Sequence, residues 1–410
     1  MAATAFLKAS RLRAGLKRHP WVYPSSIERI EGKYANGDAV RVRAPDGKFL
    51  GHALINDASR LALRMVSFDK DAAVDEPAFW VSRVQDAVRL REEVLRLPAR
   101  ADAYRIVHSE GDGLPGLIVD RYADVLVYTV SCLGIQQRLE PILAALSEAY
   151  APRAIVEHGV SAGLRAAEGL PEGRGVVQGE LPEVVRCTVD GISLEVPLGG
   201  GQKTGLFLDQ RENVQRVARL AQGRRVLDAC CYLGAFSIAC AKAGATSVRA
   251  FDQSAEAVEL ATRHAEQHGV GERVEVVQGE LFSQLNGLIK ERAEFDLIVL
   301  DPPKFATSKK NADKAVRGYT DCNRLALKLL APGGILFTCS CSHHMPEDEL
   351  ELVLRQVADR TKVDLRLLGK FGPGLDHPID IHCPEGRYLK GFLLQRRDTP
   401  AAVEAPALDQ

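Results

Sequence analysis

The C-terminal half of this 410-residue chain predicts an α/β fold with a doubly wound, Rossmann-like parallel sheet. From about Arg224 onward, short apolar runs typical of buried strands recur at residues 226–227, 248–251, 274–277, 297–300 and 335–338. Helical segments separate them, as at 255–267 and 324–330. Strands that alternate with helices at this spacing are typical of βαβ units, which build parallel sheets.

The residues before this sheet have a different sequence pattern, which predicts two further domains. Val40 and Val42 alternate with arginines, Asp46-Gly47 supplies a hairpin turn, and residues 61–66 form another strand-like run. This pattern predicts a small β-rich domain, such as a barrel, over residues 1–75.

A central α+β domain is predicted over residues 76–198. Its first helix carries apolar residues at helical spacing (Ala87, Leu90, Val94 and Leu97). A second helix at 136–150 and strands around Ile155 and at 184–196 follow. The doubly wound domain then occupies residues 199–397, and the Ala/Pro-rich residues 398–410 are predicted to be a disordered tail.

The overall charge gives no general argument for a nucleic-acid partner. Lys and Arg number 53 against 54 Asp and Glu, so the net charge is -1. A local basic cluster does precede the first acidic residue, Glu28, and consists of Lys8, Arg11, Arg13, Lys17 and Arg18. Such a cluster is either a solvated arm or a contact for nucleic-acid phosphates.

Cysteine usage and hydropathy point to a cytoplasmic protein without a metal. The nine cysteines include no Cys-x-x-Cys pair and no Cys/His spacing typical of zinc. No apolar run approaches the roughly 20 residues of a membrane span. We therefore expect reduced thiols, no metal site and no membrane association.

Three strand ends predict a cofactor site. The first run continues from Asp228 through Tyr232 and Gly234 to Phe236, where glycine allows close approach of the backbone to a ligand. The second ends in Asp252, an acceptor for a ribose diol, and the third in Glu280, which either meets an adenine or caps the next helix. The Gly-x-Gly-x-x-Gly of a pyrophosphate site is absent, which favours a nucleoside cofactor without phosphates, such as S-adenosylmethionine.

A fourth strand end predicts the substrate side of the same site. Asp301-Pro302-Pro303-Lys304-Phe305 directly follows the run at 297–300. Two prolines stiffen the loop and remove backbone donors, so Asp301 and Lys304 project beside the cofactor.

These residues resemble a known family, the class I S-adenosylmethionine-dependent 23S ribosomal RNA cytosine-5 methyltransferases. The resemblance covers about residues 9–395. It is carried by the motifs Arg18-His19-Pro20-Trp21-Val22, Asp112-Gly113-Leu114-Pro115-Gly116-Leu117 with Asp120-Arg121, Gln202-Lys203-Thr204-Gly205, Leu208-Asp209-Gln210-Arg211, Asp301-Pro302-Pro303-Lys304-Phe305, Arg317-Gly318-Tyr319, Ser340-Cys341-Ser342, Asp376-His377-Pro378 and Glu385-Gly386-Arg387-Tyr388-Leu389-Lys390-Gly391-Phe392.

The resemblance implies an N-terminal PUA domain that engages RNA, a central α+β domain and a methyltransferase domain. It implies cofactor contacts from Asp228, Tyr232, Gly234, Phe236, Asp252, Glu280 and Asp301. It also suggests Asp301 and Cys341 as substrate-side, catalytic residues. From the basic cluster and the Pro-Pro loop we expect substrate contacts by Lys17, Arg18, Lys304 and Phe305. Two departures stand out: Cys339 is a second cysteine in the final motif, and Glu280 replaces a more usual aspartate.

Methylation at carbon 5 of cytosine explains the need for a cysteine. Addition of a thiolate to carbon 6 makes carbon 5 nucleophilic enough to take a methyl group. Cys341 lies nearer the carboxyl end of its strand than Cys339, which we expect to be a packed, unreactive thiol. Lys304, His343 and His344 are alternative proton carriers. Six further cysteines are expected to be small buried hydrophobes: Cys132, Cys187, Cys230, Cys240, Cys322 and Cys383.

Two other functions stay open at this point. One is methylation of a different base atom, such as guanine N7, which needs no nucleophilic cysteine. The other is a non-catalytic RNA-binding assembly factor. The target nucleotide and the oligomeric state, with a homodimer as one alternative, also stay open.

Overall fold

The structure, a computed structural model, describes residues 3–12, 17–173, 175–198, 205–305, 312–342 and 345–397. The predicted tail, the Gln202-Lys203-Thr204 motif residues, and His343 and His344 lie outside these residues. The chain forms two compact units, Met1–Asp209 with Gly374–Gly386, and Gln210–Pro373 with Arg387–Gln410. The predicted domain boundaries are finer than this division and stay a prediction.

The predicted N-terminal β-rich region is a six-stranded sheet within the described residues. Its order is β2-β6-β5-β4-β1-β3, with the pair β1 and β4 parallel. The apolar residues of the alternating segment at Val40 and Val42 are fully buried, whereas Arg41 is exposed. The strands are β1 (Thr4–Leu7), β2 (Trp21–Val22), β3 (Ile27–Glu31), β4 (Ala39–Arg43), β5 (Phe49–Ile55) and β6 (Leu63–Ser67).

The central region is mixed α and β, as predicted. Its sheet has the order β11-β10-β9-β8-β7, and β12 and β13 form a separate hairpin. The strands are β7 (Ala103–His108), β8 (Leu117–Tyr122), β9 (Val125–Val130), β10 (Ala154–Glu157), β11 (Gly175–Gly179), β12 (Val185–Val189) and β13 (Ile192–Val196). The helices are α1 (Pro77–Arg89), α2 (Leu133–Gln136), α3 (Leu139–Tyr150) and α4 (Ala162–Glu168).

The doubly wound sheet contains seven strands in the described residues, in the order β16-β15-β14-β17-β18-β20-β19. The strands are β14 (Arg225–Ala229), β15 (Ser247–Asp252), β16 (Val274–Gln278), β17 (Phe295–Leu300), β18 (Leu330–Ser340), β19 (Leu365–Phe371) and β20 (Lys390–Arg396). The helices are α5 (Arg211–Ala218), α6 (Ala235–Lys242), α7 (Ala255–Gln267), α8 (Leu281–Lys290), α9 (Ala312–Leu329) and α10 (Glu347–Thr361).

The strand order reverses between β14 and β17, which both continue the parallel part of the sheet. Ligands bind at such a switch, outside the carboxyl ends of the strands. The fold therefore confirms the predicted α/β class and directs attention to the residues that follow β14, β15, β17 and β18.

The segment Gly374–Gly386 lies between β19 and β20 in sequence but packs in the first unit. Arg91, which is fully buried, holds it by donating to the carbonyl of Asp376 at 2.7 Å and to the carboxylate of Asp112 at 2.5 and 2.8 Å. The Asp376 carboxylate in turn accepts from the backbone N–H of Arg105 at 3.0 Å. Bidentate pairing of this kind compensates for the burial of the charges.

Among the helices that the structure describes, none is long and apolar enough to cross a membrane. All nine cysteines lie within the described residues, and none is in a disulfide bond. Five of the six cysteines predicted to be buried hydrophobes are buried, whereas Cys230 is partly exposed at the end of β14.

Candidate active site

Four strands of the doubly wound sheet end at one level. Ala229 of β14 pairs with Phe251 of β15 and Leu300 of β17, and Leu300 pairs with Thr338 of β18. The residues that follow these strands therefore share one edge of the sheet. They include most of the residues predicted to bind the cofactor or act on the substrate.

The loop after β14 is conformationally unusual. Cys230, Tyr232 and Gly234 have φ values of 67°, 49° and 83°, in the left-handed region that non-glycine residues rarely adopt. Gly234 also sits close to α7, since a Cβ atom there would lie 3.2 Å from Ala261 Cβ. Strained turns of this type are concentrated at ligand sites, where surrounding contacts hold them.

Asp252 holds this loop in place. One oxygen of its carboxylate accepts the backbone N–H of Tyr232 at 3.0 Å, and the other accepts that of Ser254 at 3.0 Å. Each carboxylate oxygen has a second lone pair, so Asp252 can still accept from a hydroxyl. The structure thus adds a positioning contact to the diol-binding role predicted for this residue.

Asp228 lies deeper than the other predicted cofactor residues. It is 1% exposed, and its Oδ2 accepts from the Ser237 hydroxyl at 2.6 Å, which ties β14 to the first turn of α6. Burial raises the pKa of Asp228 to about 7, and the neighbouring Asp301 and Asp252 act in the same direction. Among the described residues, its buried Oδ1 has no hydrogen-bond partner, which leaves an acceptor at this position.

The charge of this edge fits a cationic nucleoside. Asp228, Asp252 and Asp301 converge, and such a set of acids repels the phosphates of a dinucleotide but attracts the positive sulfonium of S-adenosylmethionine. The strained loop brings backbone close to the ligand, and the acids offer acceptors for hydroxyl and amino groups. The residues present therefore fit this cofactor.

Glu280 and Phe236 each have a structural contact. Glu280 is the N-cap of α8, and its carboxylate accepts the backbone N–H of Ser283 at 3.0 Å. Of the two alternatives for Glu280, helix capping is thus observed, and an adenine contact stays a prediction. Phe236 is buried, with its ring 5.8 Å from that of Phe337.

The residues on either side of Pro302-Pro303 have different surroundings. Asp301 faces β18, where its Oδ1 accepts from the Cys339 thiol at 2.9 Å. Lys304 is exposed. Phe305 packs inward, with its ring 4.9 Å from Tyr319 and 6.0 Å from Phe282, so the contact observed for Phe305 is with the core.

The two cysteines of the final motif have different surroundings. β18 ends at Ser340, which leaves Cys339 inside the sheet and Cys341 just beyond it, partly exposed. Burial raises the pKa of Cys339 well above its usual value, and the charge of Asp301 adds to this effect. Cys339 is therefore the packed, protonated thiol that its sequence position predicted.

A buried lysine that sequence analysis missed lies beside Cys341. Lys390 of β20 pairs with Ser340, and its Nζ donates to the carbonyl of Ser342 at 2.6 Å. Burial lowers the pKa of Lys390 to about 8 and Lys304 lowers it further, whereas Cys341 and Glu347 oppose the shift.

A second missed residue, Gln210, contacts both Asp301 and Cys339. It lies at the end of the 3-10 turn Leu208–Gln210, and its Nε2 is 3.0 Å from Asp301 Oδ2 and 3.2 Å from Cys339 Sγ. Its signal was the motif Leu208-Asp209-Gln210-Arg211, which carried the resemblance without a role.

The basic N-terminal cluster divides into exposed and buried members. Lys17 and Arg18 are exposed, and the Arg18 guanidinium lies 4.8 Å from the Phe68 ring centroid. Arg11 is 8% exposed and donates to the carbonyls of His19 and Trp21. Arg13 lies outside the described residues. Arg11 therefore has a structural role, and the RNA contact of Lys17 and Arg18 stays a prediction.

A group of potential metal ligands also occurs in the first unit: His19, Cys383 and Glu385 lie within 4.8 Å of one another. His19 Nδ1, however, accepts the backbone N–H of Trp21 at 3.1 Å, so the neutral ring carries its proton on Nε2, which donates to Glu385 at 3.0 Å. A metal on Nε2 would require a proton on Nδ1 facing that N–H. These contacts favour a hydrogen-bonded group over a metal centre.

Comparison with known proteins agrees with this geometry. Residues 170–367 match the S-adenosylmethionine-dependent methyltransferase family, and residues 6–68 match the PUA-like domain. The chain is 38% identical over 400 residues to ribosomal RNA large subunit methyltransferase I of Aeromonas hydrophila, a match that covers 97% of this chain and all of that protein. The chain belongs to this methyltransferase family.

Further relatives cover similar lengths. The protein of the same description from Shewanella amazonensis is 38% identical over 389 residues, which is 94% of this chain and 98% of that one. The solved structure of SMU.776 complexed with SAH has a TM-score of 0.80 at 20% identity, covering 96% of this chain and 99% of the other, and supports the fold. The protein is thus an S-adenosylmethionine-dependent methyltransferase with a PUA-like N-terminal domain.

Asp252 and Glu280 provide a test of the cofactor site. Asp252→Ala is expected to weaken S-adenosylmethionine binding by roughly 1.5–3 kcal/mol, since it removes an acceptor for the ribose and the support of the Tyr232 amide. Glu280→Asp, which keeps a good N-cap, should retain the fold, and its affinity tests the predicted adenine contact. Titration calorimetry measures both, and an unchanged affinity of Asp252→Ala would remove that residue from the site.

Proposed function

We propose that the protein transfers a methyl group from S-adenosylmethionine to carbon 5 of a cytosine in large-subunit (23S) ribosomal RNA through a covalent bond to Cys341. The observation that carries the proposal is the pairing of β17 with β18, which sets the Asp301 loop beside the motif containing Cys339 and Cys341. The names of the relatives support ribosomal RNA as the substrate. We expect this action in the cytoplasm, by a protein that needs no metal and is a monomer or a homodimer.

Asp301 and Cys341 have complementary tasks in this reaction. The Cys341 sulfur forms a bond to carbon 6 of cytosine, and the electron pair of the 5,6 double bond becomes available at carbon 5. The Asp301 carboxylate accepts a hydrogen bond from the amino group of the base, which orients the ring for addition. Bound at the acidic edge, S-adenosylmethionine supplies the electrophilic methyl group. Loss of the carbon-5 proton to a base and cleavage of the carbon–sulfur bond restore the aromatic ring.

Lys390 supports formation of the attacking thiolate. An ammonium group beside a thiol favours the ionised sulfur, and Lys390 is held there by the Ser342 carbonyl. Because burial brings the pKa of Lys390 to about 8, it can also hold the proton that Cys341 releases. Lys390 thus joins Lys304, His343 and His344 among the candidate proton carriers.

The PUA-like domain supplies RNA affinity in this proposal. Lys17 and Arg18 expose their charges on it and contact phosphates, while Lys304 meets the RNA beside the target base. Because such contacts release counterions, they should dominate the salt dependence of binding rather than the chemical step.

RNA that carries 5-fluorocytosine tests the covalent step. Fluorine at carbon 5 cannot leave as a proton, so the methylated adduct stays joined to the attacking cysteine. Wild type and Cys339→Ala are expected to form this adduct on a denaturing gel, and Cys341→Ala none, while still binding cofactor. An adduct lost in Cys339→Ala and kept in Cys341→Ala would move the nucleophile to Cys339. Methylation of normal RNA without any adduct would favour another base atom, and no methylation despite RNA binding would favour an assembly factor.

Alkylation with iodoacetamide tests the role of Lys390 without RNA. Lys390→Met should reduce the alkylation rate of Cys341 at pH 7 by about tenfold, because an adjacent opposite charge is worth roughly one pKa unit or more to an ionisable group. Peptide mass spectrometry follows Cys341 separately from the buried thiols. Lys328→Met, which removes an exposed lysine of α9, is the control. Equal alkylation rates of Cys341 in wild type, Lys390→Met and Lys328→Met would show that Lys390 does not promote ionisation of the Cys341 thiol.

Salt-dependent RNA binding tests the basic cluster. The double variant Lys17→Ala/Arg18→Ala should reduce the slope of log affinity against log salt by up to about 2, one unit for each lost phosphate contact. Lys290→Ala/Lys328→Ala changes the net charge equally in the other unit and should leave the slope nearly as it was. If the first pair behaves like the second, Lys17 and Arg18 belong to a solvated surface.

A further inference from the structure

Two buried polar residues surround the Asp301 carboxylate, and neither has a role in the chemistry above. The Cys339 thiol donates to Oδ1 at 2.9 Å, and the Gln210 amide donates to Oδ2 at 3.0 Å. The same Gln210 nitrogen lies 3.2 Å from the sulfur of Cys339, which closes a triangle of contacts. Cys339 is fully buried and Gln210 is 4% exposed, so both donors are shielded from water, whereas Asp301 is partly exposed.

The direction of the Gln210 amide is fixed from behind. Its Oε1 accepts from Asn213 Nδ2 at 2.7 Å, and Asn213 Oδ1 accepts from Arg216 at 3.0 Å. Asn213 Nδ2 also donates to the carbonyl of Gly372 at 3.2 Å, so the orientation of Asn213 is determined on both sides. A flipped Gln210 amide would place its oxygen against the carboxylate and its nitrogen against a donor. Both N–H groups of Gln210 are therefore directed at Asp301 and Cys339.

We propose that Gln210 and Cys339 are positioning residues that hold the Asp301 carboxylate in the orientation needed to bind the target base. This inference rests on the proposed function, in which Asp301 contacts the base. It assigns a task to the second cysteine of the motif, as a donor to Asp301, and to the motif residue Gln210.

Neutral donors suit this task better than a cation. An arginine in the place of Gln210 would neutralise the carboxylate that must attract the amino group of the base. An amide and a thiol add no charge of their own, and each donates to a different oxygen of Asp301. The two donors hold the carboxylate against side-chain rotation, and fixed positioning of a binding group is a main requirement of catalysis.

Other titratable groups face the same carboxylate. Asp228 and Cys230 approach from β14 and its loop, and Cys339 approaches from β18. Because hydrogen bonds to a carboxylate favour its ionised form, loss of the two donors should show in the pH dependence of the reaction, beyond any effect on packing.

The test compares substitutions of Gln210 and Cys339 that remove, replace or keep the hydrogen-bond donor. Each variant is assayed for methylation of RNA across a range of pH. Gln210→Met removes the amide donor, and Gln210→Glu replaces it with an acceptor. Cys339→Ala removes the thiol donor, and Cys339→Ser keeps a donor at that position. We expect Gln210→Met, Gln210→Glu and Cys339→Ala to lower kcat by about ten- to a hundredfold, the range for one hydrogen bond to a charged group, with a much smaller change in KM. The acid limb of the pH–rate profile of these three variants should move up by about one pH unit or more. Cys339→Ser should have a kcat and an acid limb closer to those of wild type than Cys339→Ala.

Two controls separate this inference from its alternatives. Cys322→Ala truncates a fully buried thiol in α9 and should leave the acid limb in place. If the acid limb of the pH–rate profile stays fixed in every Gln210 and Cys339 variant, these two residues have only a packing role. Asp301→Asn is measured in parallel. If it is inactive while the Gln210 and Cys339 variants resemble wild type, only the positioning role fails. If Asp301→Asn is as active as wild type, the proposed role of Asp301 itself fails.

Discussion

The parallel register of β14, β15, β17 and β18 is the constraint on which the site depends. A parallel sheet places the carboxyl ends of its strands at one edge, and here Ala229, Phe251, Leu300 and Thr338 are level across four strands. Asp252, Asp301 and Cys341, which lie far apart in sequence, come together only through this pairing. A slip of two residues in β18 would move Cys341 by about 7 Å along the edge.

The same edge concentrates negative charge, which has consequences for each acid in it. Asp228 is buried and its pKa rises to about 7, while Asp252 and Asp301 are partly exposed and hydrogen-bonded. A buried acid with a raised pKa costs free energy that an ordinary core residue would not, and such residues are concentrated at functional sites. In the proposed site, the positive charge of the sulfonium cofactor would offset the mutual repulsion of these acids.

The sequence carried enough information for the doubly wound sheet but not for all of its strands. Parallel strands buried on both faces are continuous apolar runs, as in β17, and such runs are readily identified. β19 has exposed or half-buried residues, because it lies at the edge of the sheet and, among the described strands, pairs with β20 alone. Its antiparallel pairing depends on a partner about 25 residues away, and no local pattern specifies that partner.

Within the site, the residues that directly follow a strand can be identified from the sequence. The residues that contact the site through another side chain cannot. Asp252 and Asp301 follow apolar runs, which is a local signal. Gln210 reaches Asp301 across 91 positions, and Lys390 reaches Ser342 across 48. The ring of Phe305 is 4.9 Å from Tyr319 of α9, a contact that its motif does not indicate, and its substrate contact stays a prediction. Long-range contacts of this type depend on tertiary packing, which periodicity does not encode.

The two cysteines of the final motif show how position along a strand divides chemical tasks. Both have the same parity, so alternation alone directs them to one face of the sheet. Cys339 is still within β18, where burial and the adjacent Asp301 keep its sulfur protonated and make it a hydrogen-bond donor. Cys341 lies past the last strand residue, partly exposed and close to the Lys390 ammonium, conditions that favour a thiolate. A nucleophile at Cys339 would have to lose its proton beside a carboxylate in a dry interior, whereas a nucleophile at Cys341 loses it beside a cation.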